Sequence, residues 1–276
     1  MTPNWLRCRL PEPLQSEHDH KTQILSDVLP GLVRYFRSAD PGGRWFFQRF
    51  HNHLELWFCS AAAVRHELER RLAAEFSRHG WPMIMDCYES PSAHYIGTRD
   101  AELSSASSEL ALDLLNAGEL RGDAQLTMAV QHLCHIVELI PGGDRTAFLF
   151  FYWTYWANGM SPGQRIDLAT RADRDYELIL RAAAKTQLLS NTEVSWQRYL
   201  WVVRETILTR RPNDDIPANY LLFKHAHLTN NRLGIGVATE ALAARALRTT
   251  LREGMAGAAL LVQPRIRAYP RCAQTA

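Results

Sequence analysis

The segment His51-Asn52-His53-Leu54-Glu55-Leu56-Trp57-Phe58 sets an imidazole, a carboxylate and an indole at alternate positions, with apolar residues between them. Side chains alternate across an extended strand. Leu54, Leu56 and Phe58 therefore share one face, read as the face turned to the core. His53, Glu55 and Trp57 share the other, joined by His51 if the strand starts that early. A base, an acid and a ring in a row suit a solvated or substrate-facing surface; the plain alternative is a half-exposed strand.

Other groupings carry weaker signals. Ser195-Trp196-Gln197-Arg198-Tyr199 puts polar and aromatic groups within one to two turns of a helix, which makes Ser195 and Tyr199 hydrogen-bonding candidates. His132, His135 and Glu138 share a helical face beside Cys134, but no fourth ligand is spaced to complete a metal set. The pairs His18/His20 and His225/His227 lack completing ligands as well. Phe148, Phe150, Phe151, Tyr152, Trp153, Tyr155 and Trp156 surround their helix, as in a buried helix, with a stacking platform as the alternative. Gly234-Ile235-Gly236 follows no strand and lacks a third glycine at the spacing of a phosphate loop.

These residues must be positioned by regular elements. Trp5 to Leu10, Trp45 to Phe50, His53 to Ser60 and Met83 to Tyr88 read as strands, and Thr22 to Arg37 and Ala61 to His79 as helices. Pro30 falls inside the first helical pattern and predicts a kink or two short helices. Asp40-Pro41-Gly42-Gly43 is a turn, and Gly80 stands where a helix would end. The order β-α-β-β-α-β predicts a ferredoxin-like α+β part over residues 1–100. From Ser104 the pattern is helical: Ser107–Asn116, Asp123–Leu139, Asp144–Asn158, Pro162–Leu189, Glu193–Thr209, Ile216–Leu228 and Ala238–Arg252. A helical part over 101–256, packed on the first as one compact unit, and a loosely held tail over 257–276 complete the expected organisation.

Composition narrows the class. The chain has 276 residues, 46% hydrophobic and 22% charged, as in ordinary globular proteins. A formal charge of +2 points neither to nucleic acid nor to a membrane surface. No apolar run reaches the length of a membrane span, and the first ten residues do not resemble a signal peptide. Five scattered cysteines without a CxxC pair fit reduced thiols and a cytoplasmic setting.

Four blocks, in order, resemble the lanthipeptide-dehydratase C-terminal family, also described as the thiopeptide-type bacteriocin biosynthesis domain. The family's W-F-F-I-R-Y and H-L-R-L-R-F are matched by Trp45-Phe46-Phe47-Gln48-Arg49-Phe50 and His53-Leu54-Glu55-Leu56-Trp57-Phe58. Its Y-E-P-E-x-E-R-Y-G-G resembles Tyr88-Glu89-Ser90-Pro91-Ser92-Ala93-His94-Tyr95-Ile96-Gly97. Its D-S-E-L-A-L resembles Ser107 to Leu112, and its H-x-x-x-N-R-L-G matches His227 through Asn231, Arg232 and Gly234. In the full-length dehydratases this domain expels glutamate from glutamylated serine or threonine. The arginines of H-L-R-L-R-F and of E-R-Y and the histidine of the last block serve that reaction.

The departures fall on those arginines. Glu55, Trp57 and His94 stand in their places, whereas His227, Asn231 and Arg232 persist. Guanidinium groups clamp a carboxylate in a bidentate fork, so their replacement by an acid speaks against glutamate expulsion. The resemblance then points to the family's second branch, the pyridine synthases, which join two dehydroalanines by a formal [4+2] cycloaddition. On that reading His227 moves protons, followed by Tyr95, Tyr88 and His94. His53, Glu55, Trp57, Ser195 and Tyr199 contact substrate. Asn231 and Arg232 either do so or cap and bridge helices. No cofactor and no metal is expected. The partner is a ribosomally made precursor peptide, leader and modified core, together with other enzymes of the same pathway. A glutamate-elimination lyase and a non-catalytic leader-binding module are the alternatives.

Overall fold

A computed structural model describes residues 5–11, 20–88, 98–120, 122, 124–185, 190–209 and 217–253. The chain divides into two compact units, residues 1–116 and 117–276.

The first unit is built on a sheet of β1 (Trp5–Pro11), β2 (Arg44–Arg49), β3 (His53–Cys59) and β4 (Ile84–Tyr88). The strand order is β2-β3-β1-β4 and all pairs are antiparallel. This is the ferredoxin-like order expected from β-α-β-β-α-β. The crossovers are the helical segment α1 (His20–Gln23) and α2 (Leu29–Ala39), and α3 (Ala62–His79). Between α1 and α2 the chain makes a π-helical turn, Ile24–Val28. Pro30 has no N–H and its ring crowds the carbonyl four residues back, so the helix widens there instead of breaking.

Leu6, Leu10, Leu54, Leu56 and Phe58 are buried with Leu32, Phe36, Leu68, Leu72 and Phe76 of the helices. The rings of Phe36 and Phe58 lie 5.3 Å apart across that layer. Each such side chain contributes about 1.5–3 kcal/mol of burial. Gly43 ends the turn into β2 because a Cβ there would stand 2.6 Å from the Phe36 ring.

The edge strand β2 is covered by α4 (Thr98–Asn116). Helix α4 starts well before the expected Ser107. Its serines read as loop by propensity, but their small size lets the helix lie against the strand: Ser104, Ser107 and Ser108 are buried. The Ser108 hydroxyl accepts the Phe47 backbone N–H at 3.1 Å. An edge donor is thereby satisfied by a side chain.

The second unit is helical: α5 (Ala124–Glu138), α6 (Arg145–Ala157), α7 (Pro162–Lys185), α8 (Ser190–Leu208), α9 (Ala218–Arg232) and α10 (Val237–Arg252). Helix α10 is its hub, packed by α5, α6 and α7. Buried Ala241, Ala243, Ala244 and Ala246 let those neighbours approach closely. No helix among the described residues is long and apolar enough to cross a membrane.

Candidate functional site

The strand face bearing His53, Glu55 and Trp57 is not a solvated surface: Glu55 is 6% exposed and Trp57 2%. Trp57 packs with Trp5, Phe46, Cys59 and Ala101, the last from the first turn of α4, and with Tyr88. Its ring is closed in by its own sheet and by α4, so it does not offer a platform to an azole. His53 is half-buried and stacked on Phe50 at 4.3 Å. Burial lowers its pKa, the Glu55 carboxylate opposes that, and Arg9 adds to it. His51 lies in the turn before β3, where its carbonyl accepts from Lys21.

Two guanidinium groups stand on this face. The antiparallel register puts Arg9 opposite Glu55 and Arg7 opposite Trp57. Arg9 Nε donates to Glu55 Oε1 at 3.3 Å, and Arg7 lies 3.8 Å from the same oxygen. Arg7 also pairs with Asp86 at 2.7 Å and lies over the Tyr88 ring, 4.7 Å from its centroid. The Trp57 indole N–H donates to Glu55 Oε2 at 3.1 Å, and His53 Nε2 is 3.4 Å from Oε1. Two cations thus meet two carboxylates, and the substituted positions 55 and 57 face arginines across the strand. Tyr88 joins this cluster; His94 and Tyr95 lie outside the described residues.

The second unit holds the other cluster. His227, 21% exposed at its side chain, lays its imidazole on the Trp156 indole with centroids 3.6 Å apart and planes at 19°. Its Nδ1 lies 3.1 and 3.3 Å from the two oxygens of Glu240. Glu240 is fully buried in the first turn of α10 and accepts a 2.5 Å hydrogen bond from the Tyr152 hydroxyl. Burial, with Glu240 beside it, raises the Tyr152 phenol well above its ordinary pKa.

The turn between α9 and α10 makes this meeting possible. Gly234 takes φ 74°, Gly234 N–H bonds the Asn231 carbonyl, and Ile235 N–H bonds the Asn230 carbonyl. This is the paired-bond helix stop that needs a left-handed residue. The N-R-L-G block thus ends α9 at Arg232 and turns the chain into α10. Asn231 serves the cap through its backbone, and Arg232 is fully buried. Both observations fit the structural reading of that pair and not a display of Arg232 to substrate.

Deeper in the unit, His132 bonds Asn230 at 3.0 Å and the Tyr199 hydroxyl at 2.8 Å, and Tyr199 bonds Thr229 at 3.0 Å. Burial lowers the His132 pKa to about 4 and raises that of Tyr199. Tyr199 is 1% exposed, so its hydroxyl belongs to this interior chain and not to a substrate surface. Ser195 is half-buried one turn before it. Both His132 ring nitrogens have partners here, and no group of three His, Cys, Asp or Glu among the described residues could hold a metal.

Helix α6 corrects the expectation of a helix buried all round. Phe148, Tyr152 and Trp153 are buried, but Phe151 and Tyr155 are each 63% exposed. With Phe148, Thr154, Trp156 and Phe223 they line a cavity of about 1130 Å³. Among its described lining residues the sole charged side chain is Asp144, and none is Arg or Lys. Such a cavity takes uncharged, planar or apolar groups. Trp156 lines it and carries His227 on its face, which puts an imidazole beside this aromatic lining. Glu240 was not foreseen beside His227, whereas Tyr152 and Trp156 were named only in the aromatic stretch, with a stacking platform as the alternative to burial.

A model of the lantibiotic biosynthesis dehydratase C-terminal family matches residues 5–251. No curated protein matches the sequence. Among solved structures the chain is similar to the tRNA-dependent lantibiotic dehydratase MibB from Microbispora sp. 107891, at 20% identity and TM-score 0.61. That match covers 91% of this chain and 28% of that one, so the chain spans little more than a quarter of MibB. It is also similar to TbtD, a pyridine synthase from thiomuracin biosynthesis, at 15% identity and TM-score 0.61, covering 92% and 100% of the two chains. TsrL matches at 16% identity and TM-score 0.59, covering 93% and 97%. At these identities the structural likeness carries the fold.

Proposed function

Since the chain belongs to the lantibiotic biosynthesis dehydratase C-terminal family, we propose that it is a pyridine synthase acting on a dehydrated, azole-bearing precursor peptide. One dehydroalanine and its preceding amide, as the imidic-acid tautomer, form a 2-azadiene. A second dehydroalanine is the dienophile. Two new bonds close a hydroxylated six-membered ring. Loss of water, and then of the leader as an amide, aromatises that ring to a pyridine within the macrocycle the two new bonds have closed.

The observation that carries this reading is the carboxylate of Glu55 between Arg7 and Arg9. A glutamate leaving group needs open guanidinium groups, and here an internal acid already takes their charge. The cavity beside His227 supports the same reading, because an aromatic lining with no Arg or Lys among its described residues suits uncharged rings and alkenes. Holding two ends of a flexible peptide together supplies most of the needed rate through effective concentration, about 10⁵ M or more in favourable cases. The imidazole of His227 moves protons on and off the amide and the departing groups. Tyr88, His94 and Tyr95 remain proposed donors of the first unit.

Glutamate elimination is the second reading, favoured by the survival of two guanidiniums on the sheet face, in register with positions 55 and 57. One experiment separates them. The protein is incubated with fully modified linear peptide and, in parallel, with a glutamylated peptide, and both are followed by mass spectrometry. Loss of water together with the leader amide from the first supports pyridine formation. Release of glutamate from the second establishes elimination instead. Tight leader binding with no mass change in either leaves only a binding module.

A further inference from the structure

We infer that Glu240 and Tyr152 are positioning residues that hold His227 in the tautomer with its proton on Nδ1, leaving the Nε2 lone pair as the working proton acceptor. Three observations carry this. First, the Nδ1 side is committed: both Glu240 oxygens lie within 3.3 Å of it. Among the described residues Nε2 has no protein partner, and the side chain is 21% exposed, so Nε2 is the nitrogen a ligand can meet.

Second, Glu240 is set up to accept. The Tyr152 hydroxyl, fully buried, has a proton to donate and gives it to Oε2 at 2.5 Å. A carboxylate that already accepts from a phenol at one oxygen accepts the imidazole N–H at the other. The first turn of α10 adds the positive end of a helix dipole, which favours negative charge at this position. The rival arrangement has a protonated Glu240 donating to Nδ1, and it would place the His227 proton on Nε2.

Third, the ring cannot turn away. Trp156 covers one face at 3.6 Å and itself packs against Phe223 and Tyr155. Tilting the imidazole would break the stack, and a 180° flip, which keeps the ring plane, would take Nδ1 away from Glu240. In an unconstrained histidine side chain the Nε2–H form is the commoner one, so the protein has to enforce the other. A carboxylate behind the histidine does this wherever a ring nitrogen must be kept as a base.

This inference rests on His227 being the proton carrier of the proposed reaction, but its test reads the ring and not the product. The full chain is labelled with ¹⁵N-histidine, the His227 signals are assigned with His227→Gln, and two-bond ¹H–¹⁵N correlations are recorded where the imidazole is neutral. The expected pattern puts the proton-bearing signal at Nδ1, with Nε2 far downfield. Tyr152→Phe keeps the ring volume and is expected to move both nitrogens towards averaged positions. Glu240→Gln, isosteric, is expected to lose the single-tautomer pattern, with an unchanged far-ultraviolet spectrum as the check on folding. A parent spectrum with the proton on Nε2 overturns the proposal. So does a Tyr152→Phe spectrum that matches the parent. Absence of pyridine formation with the Nδ1–H pattern intact would count against the reaction and leave the tautomer assignment standing.

Discussion

Arg9 and Glu55 are cross-strand partners in the register of β1 and β3, and the Arg9 Nε donates to Glu55 Oε1 at 3.3 Å. The acid that replaces a family arginine is met by a guanidinium from the neighbouring strand. Charge on this face is therefore exchanged across the ladder and not lost. Removing the Glu55 side chain should leave a carboxylate-sized gap between Arg7 and Arg9. Glu55→Ala is expected to lose about 1–3 kcal/mol of stability, discounted for the partial exposure of Arg9. Millimolar propionate should then raise the melting temperature of the variant and not of the parent. Equal responses of the two proteins to propionate in thermal-shift measurements would remove the idea that Glu55 fills a carboxylate clamp.

His227→Ala should slow conversion of the modified linear peptide by roughly 10²–10⁴-fold, the usual contribution of a positioned proton carrier. KM should change little, because the aromatic chamber is intact. Single-turnover rates measured beside a binding titration check the split. A variant that keeps full rate would take His227 out of the chemistry.

Phe151 lines the cavity and is 63% exposed, so its loss should cost the fold little. Phe151→Ser is expected to raise KM or the peptide dissociation constant roughly tenfold or more, from the apolar area no longer covered on binding. Denaturant midpoints should stay close to the parent. Unchanged binding would place the peptide elsewhere on the protein.

His132 is neutral in the fold because burial lowers its pKa from the ordinary 6.5 to about 4. The unfolded chain takes up a proton at His132 as pH falls below about 6.5, and the folded chain does so only near 4. Its stabilising contribution is whole above 6.5 and is lost progressively as pH drops towards 4, to a total on the order of 3 kcal/mol. Urea midpoints measured between pH 7 and 5 should fall in the parent. They should fall less steeply in His132→Gln, whose amide can still reach Asn230 or Tyr199. Parallel slopes would show that other groups set the acid sensitivity.

Much of this architecture could be read from periodicity. The alternation in His53 to Phe58 assigned the correct face to the core, and Pro30, Gly80 and Gly234 each mark a place where backbone geometry changes. The opposite face was misjudged because strand alternation says nothing about what covers a sheet, and here the first turn of α4 does. The serines of α4 hid it, since their value lies in close packing and not in propensity. Arg7 and Arg9 could have been found by counting register once the β2-β3-β1-β4 order was adopted. Glu240 gave no local signal: a glutamate in an alanine-rich helix looks like a solvated residue until the preceding turn is known to bring it to His227.

The left-handed Gly234 stop has one more consequence. It joins His227 to Glu240 across an interval of thirteen residues, in which one residue added inside α9 after His227 or inside α10 before Glu240 would turn its side chain by about 100° about the helix axis and swing the pair apart. Descendants of this chain can drift in either helix and still keep the pair. A residue inserted in the helical part of the span between them is expected to cost the contact.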